Sequence, residues 1–143
     1  MATVADYMTK DPIVLKLEHP IYHAFSMMEL HRLRHLPIVN EEGELTGIVS
    51  DRDLKRHMSS SFDEEERAFV DGAMLGQLSD IMTSEPVTFH PDELLITVAQ
   101  EMLSRKISSV VIVDKGEKIP VGILTDTDML RVLVELLAEK QSD

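Results

Sequence analysis

The feature that most constrains this chain is that it repeats itself. Placing Met8 on Met82, a shift of 74, aligns Tyr7-Met8-Thr9-Lys10-Asp11-Pro12 with Ile81-Met82-Thr83-Ser84-Glu85-Pro86. The same shift carries Met28 onto Met102 and Leu36-Pro37-Ile38-Val39-Asn40 onto Val110-Val111-Ile112-Val113-Asp114. One extra residue then enters a turn. Beyond it, a shift of 75 puts Gly47-Ile48-Val49-Ser50-Asp51-Arg52-Asp53-Leu54 on Gly122-Ile123-Leu124-Thr125-Asp126-Thr127-Asp128-Met129. A register broken once, at a turn, marks a duplicated structural unit.

Within each unit the periodicity changes in a fixed order. A short extended piece comes first, Ile13-Val14-Leu15 after Pro12 and Val87-Thr88-Phe89 after Pro86. Next, Ile21, Ala24, Phe25 and Met28 fall at i, i+3, i+4 and i+7, the apolar stripe of a helix, and Leu95, Val98, Ala99 and Met102 repeat it. Pro20 suits a first helical turn, and Pro91-Asp92 predicts a comparable start. Two β-branched runs follow around a polar turn, Leu36 to Val39 and Leu45 to Val49, then Val110 to Val113 and Pro120 to Leu124. Each pair predicts a hairpin. Ser50 and Thr125 then offer N-caps for a closing helix. The expectation is an α/β (α+β) fold of tandem β-α-β-β-α repeats, related by a pseudo-twofold axis. The divisions are residues 1–58, a linker at 59–76, and residues 77–143. Ser61-Phe62-Asp63-Glu64 has the form of a capping box, so the linker should hold one short helix from Phe62 to Val70.

Charge and composition exclude several functions. The 14 basic and 26 acidic residues give a net charge of −12, a surface that repels the phosphate backbone of nucleic acids. There is no Trp, and four Phe with two Tyr make poor base-stacking platforms. No Cys is present for disulfides, thiolate metal sites or Cys nucleophiles. No apolar run approaches the roughly 18 residues that span a bilayer, and MATVADYMTKDP lacks the pattern of a secretory signal. A cytoplasmic protein with no membrane or nucleic-acid partner is expected.

The strongest functional signal is Gly-h-h-(Ser/Thr)-x-x-Asp, at Gly47 to Asp53 and again at Gly122 to Asp128. A strand runs into a helix N-terminus, where N–H groups and the dipole attract an anion or polar ligand. The Asp three positions on can accept two hydrogen bonds from a vicinal diol such as ribose. Ser-x-x-Asp is also an ordinary capping arrangement. Two copies in one register favour the ligand.

These motifs, with the Met-Thr-x-x-Pro openings and Arg34-His35-Leu36-Pro37-Ile38-Val39, resemble a CBS-domain pair, or Bateman module. The likeness is nearest to small stand-alone bacterial CBS-pair proteins similar to acetoin-utilisation regulators. It implies two clefts for adenosine-type ligands and a homodimer. It assigns Asp53 and Asp128 to ribose, with Ser50 and Thr125 beside phosphate or ribose, and Ile48 and Ile123 in the same motif strands. Thr88 would complete the Asp53 cleft, while Val14, which lacks a hydroxyl, takes the equivalent place in the Asp128 cleft. Arg34 and His35 would meet phosphates in the first, where the second has Ser108 and Ser109. Lys16, Lys10 and Lys106 would partly compensate there. The Asp53 cleft is thus expected to bind better.

The implied function is a non-catalytic sensor of AMP, ADP, ATP or S-adenosylmethionine that signals to an unidentified regulated protein. The alternative is a ligand-free dimerisation scaffold. No nucleophile elbow, phosphate-binding loop or dinucleotide fingerprint is present, so no catalytic residues and no cofactor are expected. His31 and His35 have the i, i+4 spacing of a metal pair, but a helix break near Leu33 should separate them, and no metal is expected. The nine Met residues read mostly as core filler. The last helix, with Met129, Leu130, Val132, Leu133, Val134, Leu136 and Leu137, is apolar almost all round. It predicts a subunit interface, together with the helix near 51–58.

Overall fold

In the computed structural model, which describes residues 1–61 and 76–142, both copies of the repeat form the expected mixed α/β elements. In the first copy these are β2 (Leu15–Lys16), α2 (Ile21–His31), β3 (His35–Val39), β4 (Leu45–Ser50) and α3 (Asp51–Ser61). The second gives β6 (Thr88–Phe89), α4 (Leu95–Arg105), β7 (Ser109–Val113), β8 (Pro120–Thr125) and α5 (Asp126–Ser142). Each copy is preceded by a short opening: α1 (Val4–Tyr7) and β1 (Thr9–Lys10), then a 3-10 turn (Leu78–Asp80) and β5 (Thr83–Ser84). The expected Phe62 to Val70 helix lies outside the described residues.

The two hairpins are copies in detail. His35 pairs with Ser50 and Ser109 with Thr125, both antiparallel, and each register slips once, between Ile38 and Val39 and between Ile112 and Val113. β3 and β7 are buried continuously from their second residues onward, Leu36 to Val39 and Val110 to Val113, so both of their faces are covered. A parallel strand joins each hairpin through its helix, Leu15 opposite Ile38 and Thr88 opposite Val111.

The fourth strand of each sheet comes from the opening segment of the other repeat. Thr9 pairs with Ile123 and Lys10 with Gly122, while Thr83 pairs with Ile48 and Ser84 with Gly47. The sheet orders are β1-β8-β7-β6 and β2-β3-β4-β5. By compactness the chain accordingly divides into Ile13–Pro86 and a discontinuous unit, Met1–Pro12 with Val87–Asp143.

Each unit has its own core. One gathers Leu15, Ile21, Ala24, Met28, Leu36, Ile38, Val49, Leu54 and Leu78, with Met82 packed against it. The other gathers Val4, Leu95, Val98, Met102, Val110, Ile112 and Leu124, with Tyr7, Met8, Met129 and Val132 against it. Phe25, expected on the buried stripe, is 37% exposed. The Tyr7 hydroxyl donates to Glu135 Oε2 at 3.1 Å, tying α1 to α5, and this bond to a carboxylate holds the phenol above its ordinary pKa of 10.0.

Helix ends differ from the sequence expectation at one point. α4 begins at Leu95, not at Pro91-Asp92. Those two residues lie in a turn in which the His90 N–H donates to Glu93 Oε2 at 2.7 Å. The first copy closes the same turn with a different acceptor, the Lys16 N–H donating to His19 Nδ1 at 3.0 Å. Both helices stop on a left-handed residue, Arg32 (φ 55°) and Lys106 (φ 56°). The Leu33 N–H then returns to the Met28 carbonyl, and that of Ile107 to Met102, the 6→1 bond that satisfies a terminal carbonyl. His31 therefore ends α2 while His35 opens β3, and the pair shares no helix face.

Candidate functional site

The repeated motif folds as strand, cap and helix in both copies. The Ser50 N–H donates to Asp53 Oδ2 at 2.8 Å, and the Asp53 N–H donates to Ser50 Oγ at 3.1 Å. In the second copy the Thr125 N–H donates to Asp128 Oδ2 at 2.9 Å, and the Asp128 N–H to Thr125 Oγ1 at 3.3 Å. Each hydroxyl–carboxylate pair thus satisfies two backbone donors at the start of a helix, the Asp accepting from the cap N–H and the Ser or Thr hydroxyl accepting from the Asp N–H. The capping role considered from sequence is real. It holds each carboxylate at a helix N-terminus, where the dipole favours negative charge.

The two carboxylates differ in what remains to them. Asp128 is the one charged residue buried among the described residues; its Oδ2 also accepts from Thr125 Oγ1 at 3.1 Å, and its Oδ1 from Arg131 at 2.9 Å. Among the described residues, Asp53 Oδ1 meets a longer ion pair, 3.9 Å to the exposed Arg56, and the Asp53 side chain is 14% exposed. A carboxylate oxygen has two lone pairs, so Asp53 retains more capacity to accept ligand hydroxyls.

The other expected site residues fall around these motifs unevenly. His35 is opposite Ser50 in the β3–β4 register, Ile48 is half-buried, and Ile123 is buried. Arg34 accepts the Asp51 N–H on its carbonyl at 2.9 Å, and its exposed side chain lines a cavity between α2 and α3 with Phe25, Met28, Leu33 and Leu54. Asp53 and Ser50 do not line that cavity. Lys10 stands opposite Gly122, beside the second motif, at a place the first copy fills with Ser84. Thr88 is exposed on β6 in one unit, while Asp53 lies in the other; exposed Val14 and Lys16 likewise lie in the unit that lacks Asp128.

Sequence reasoning missed why each motif begins with Gly. A Cβ at Gly47 would stand 2.9 Å from Met82 Cγ and 2.9 Å from the Thr83 carbonyl oxygen, and one at Gly122 would stand 3.0 Å from Met8 Cγ. The Met of each opening segment therefore occupies the space that only Gly leaves. The shared Met-Thr and Gly-h-h signals are two halves of one contact. Among the described residues no group of three metal-ligating side chains gathers, and no helix is long and apolar enough to cross a membrane.

Comparison with known proteins places this geometry. The sequence matches the CBS domain over residues 4–60 and 78–135. The structure is similar to that of a protein named AcuB, for acetoin utilization, from Vibrio cholerae, with TM-score 0.82, 31% identity, and 100% and 98% of the two chains covered. It is similar to the CBS domain pair of protein MJ0100, in complex with 5-methylthioadenosine and S-adenosyl-L-methionine (TM-score 0.80, 30% identity, 94% and 98% covered). CBSX2 of Arabidopsis thaliana, in complex with AMP, gives TM-score 0.78 at 25% identity over 95% and 98%. Among curated relatives, L-aspartate semialdehyde sulfurtransferase of Methanocaldococcus jannaschii is 32% identical over 129 residues. That stretch is 90% of this chain but 23% of the relative.

Proposed function

The chain belongs to the CBS domain family, and from that premise we propose that it is a non-catalytic regulatory module for an adenine nucleotide or related adenosyl ligand. The ligand sits in clefts between the repeats, and a partner protein responds to the occupied state. The observation that carries this proposal is the pair of carboxylates, each fixed by its cap at a helix N-terminus. Two structurally similar CBS pairs hold adenosine compounds, S-adenosyl-L-methionine with 5-methylthioadenosine in one and AMP in the other.

In this proposal Asp53 takes the ribose hydroxyls, Ser50 and Ile48 flank it, Arg34 and His35 meet phosphate, and Thr88 completes the cleft. Asp128, Thr125, Ile123, Val14 and Lys16 form the second cleft. The engagement of Asp128 Oδ1 by Arg131 supports its being the weaker one. Lys10, opposite Gly122, supplies part of the positive charge lacking at Ser108 and Ser109. The protein is cytoplasmic and acts as a homodimer. Its apolar α5 surface, with Leu130, Leu133 and Leu137 exposed, supports the latter.

A ligand-free scaffold is the rival, and it draws on the fact that capping alone gives both carboxylates a role. A thermal-shift screen of AMP, ADP, ATP and S-adenosylmethionine separates the two. Binding to the folded state raises the melting temperature by mass action, about 2.7 kcal/mol of stabilisation at 100 times Kd. A scaffold shows no shift with any of them.

A further inference from the structure

We propose that Arg131 is an internal competitor for the second motif: it holds the Asp128 oxygen that the cap leaves to a ligand, and ligand hydroxyls reach that oxygen in competition with it. The proposal rests on the adenosyl-ligand reading above and adds a regulation of the same site. Each motif carries an Arg three residues beyond its Asp, Arg56 after Asp53 and Arg131 after Asp128. The two copies use it differently. Arg131 donates to Asp128 Oδ1 at 2.9 Å, whereas Arg56 stands 3.9 Å from Asp53 Oδ1, beyond a hydrogen bond. Asp128 Oδ2 has both lone pairs engaged, by the Thr125 N–H and the Thr125 hydroxyl, so Oδ1 is what remains for a ligand. On Asp53, Oδ2 accepts the Ser50 N–H and keeps a position, and Oδ1 is open as well.

The strength of the contact sets its consequence. Asp128 and Arg131 lie at i and i+3 on α5, so the pair forms within one turn of a single helix. The Asp128 side chain is buried, but most of the Arg131 side chain is exposed, so water and dissolved ions screen the pair from one side. Such a pair is weak enough for a ligand to displace and strong enough to lower its affinity about 2- to 5-fold. Arg131 thereby makes the second motif sensitive to ionic strength, because salt that weakens the pair frees Oδ1. The first motif, whose Arg stands off, lacks this dependence.

Calorimetry with adenosine, which carries no charge, reads the contact without interference from phosphate. In the full-length chain, Asp53→Ala isolates the second motif and Asp128→Ala the first. Adding Arg131→Met to Asp53→Ala should tighten adenosine about 2- to 5-fold. Raising NaCl from about 0.05 M to about 0.5 M should tighten it in Asp53→Ala in the same direction, and this salt effect should vanish once Arg131→Met is added. In Asp128→Ala, Arg56→Met and salt should each move the affinity by less than about 2-fold. The salt series uses Arg131 as it stands, so it decides the matter even where Arg131→Met fails to fold. Adenosine binding that stays absent, unchanged or weaker when Arg131→Met is added overturns the role of Arg131. So does a salt effect of equal size in the two isolated motifs. No binding of adenosine, AMP or ATP by the unmodified protein overturns instead the adenosyl-ligand reading, and this inference with it.

Discussion

Met82 occupies the space beside Gly47 where any other residue would carry its Cβ, and the Thr83 carbonyl closes the same space from the backbone. Met8 does the same at Gly122, but there the close atoms belong to the Met side chain. Gly47→Ala should therefore destabilise the protein by about 1–3 kcal/mol, the usual cost of overpacking, and Gly122→Ala by less. Adding Met8→Ala should recover much of the loss at Gly122, whereas Met82→Ala should recover only part at Gly47. Urea denaturation midpoints at constant slope measure all four variants. Equal costs at the two glycines would show that the Thr83 carbonyl yields.

The caps should matter without any ligand. Ser50→Ala and Thr125→Ala should each cost about 0.5–2 kcal/mol. Asp128→Ala should cost more than Asp53→Ala, because Asp128 is more deeply buried and also accepts from Arg131 and the Thr125 hydroxyl. Chemical denaturation of the ligand-free variants gives the ranking; the reverse order would contradict the contacts described.

Lys115 Nζ donates to Asp92 Oδ2 at the surface, which holds the Asp92 carboxyl below its ordinary 3.8 and raises Lys115 above its ordinary 10.5. What the lowered Asp92 contributes to stability is present above the unfolded carboxyl pKa and is lost as pH falls through the lower folded value. The raised Lys115 contributes below 10.5 and loses its part as pH rises through its folded value. Both groups are largely exposed, so solvent screens the pair and the effect on stability is small. NMR titration should find the Asp92 carboxyl moved back up toward 3.8 in Lys115→Met; an unmoved titration removes Lys115 as the cause.

Turnover should be absent. ATP incubated with the protein and separated by chromatography should show no ADP or AMP above the protein-free control. Hydrolysis that survives repurification and vanishes in Asp53→Ala would overturn the non-catalytic proposal.

What was legible in the sequence was local. The hairpins, the apolar stripes on α2 and α4 and the caps at Ser50 and Thr125 follow from period, β-branching and turn residues within a dozen positions of one another. The start of α4 was misplaced because Pro91-Asp92 suits a turn as well as a helix, and the chain uses it as the turn. The partners of Thr9 and Thr83 were not legible. Thr9 pairs with Ile123 and Thr83 with Ile48, contacts that a two-residue strand of exposed polar residues does not announce. At the candidate site, the type of residue pointed to Asp53 and Asp128, but the difference between them depends on the neighbours of each oxygen. Arg131, the residue that engages Asp128, drew no notice as a surface basic residue on a helix.

Isothermal calorimetry with AMP, ATP and adenosine on the unmodified protein, Asp53→Ala, Arg34→Ala and Asp128→Ala tests the central claim most directly. A hydrogen bond to a charged group contributes about 1.5–3 kcal/mol, so losing one weakens binding about 10- to 150-fold. The unmodified protein should show a tight and a weaker site. Asp53→Ala should remove the tight site for all three compounds, Arg34→Ala should penalise ATP while leaving adenosine nearly unchanged, and Asp128→Ala should affect only the weaker site. No heat with any compound would contradict the sensor proposal, and loss of the tight site in Asp128→Ala but not in Asp53→Ala would reverse the assignment of the two clefts.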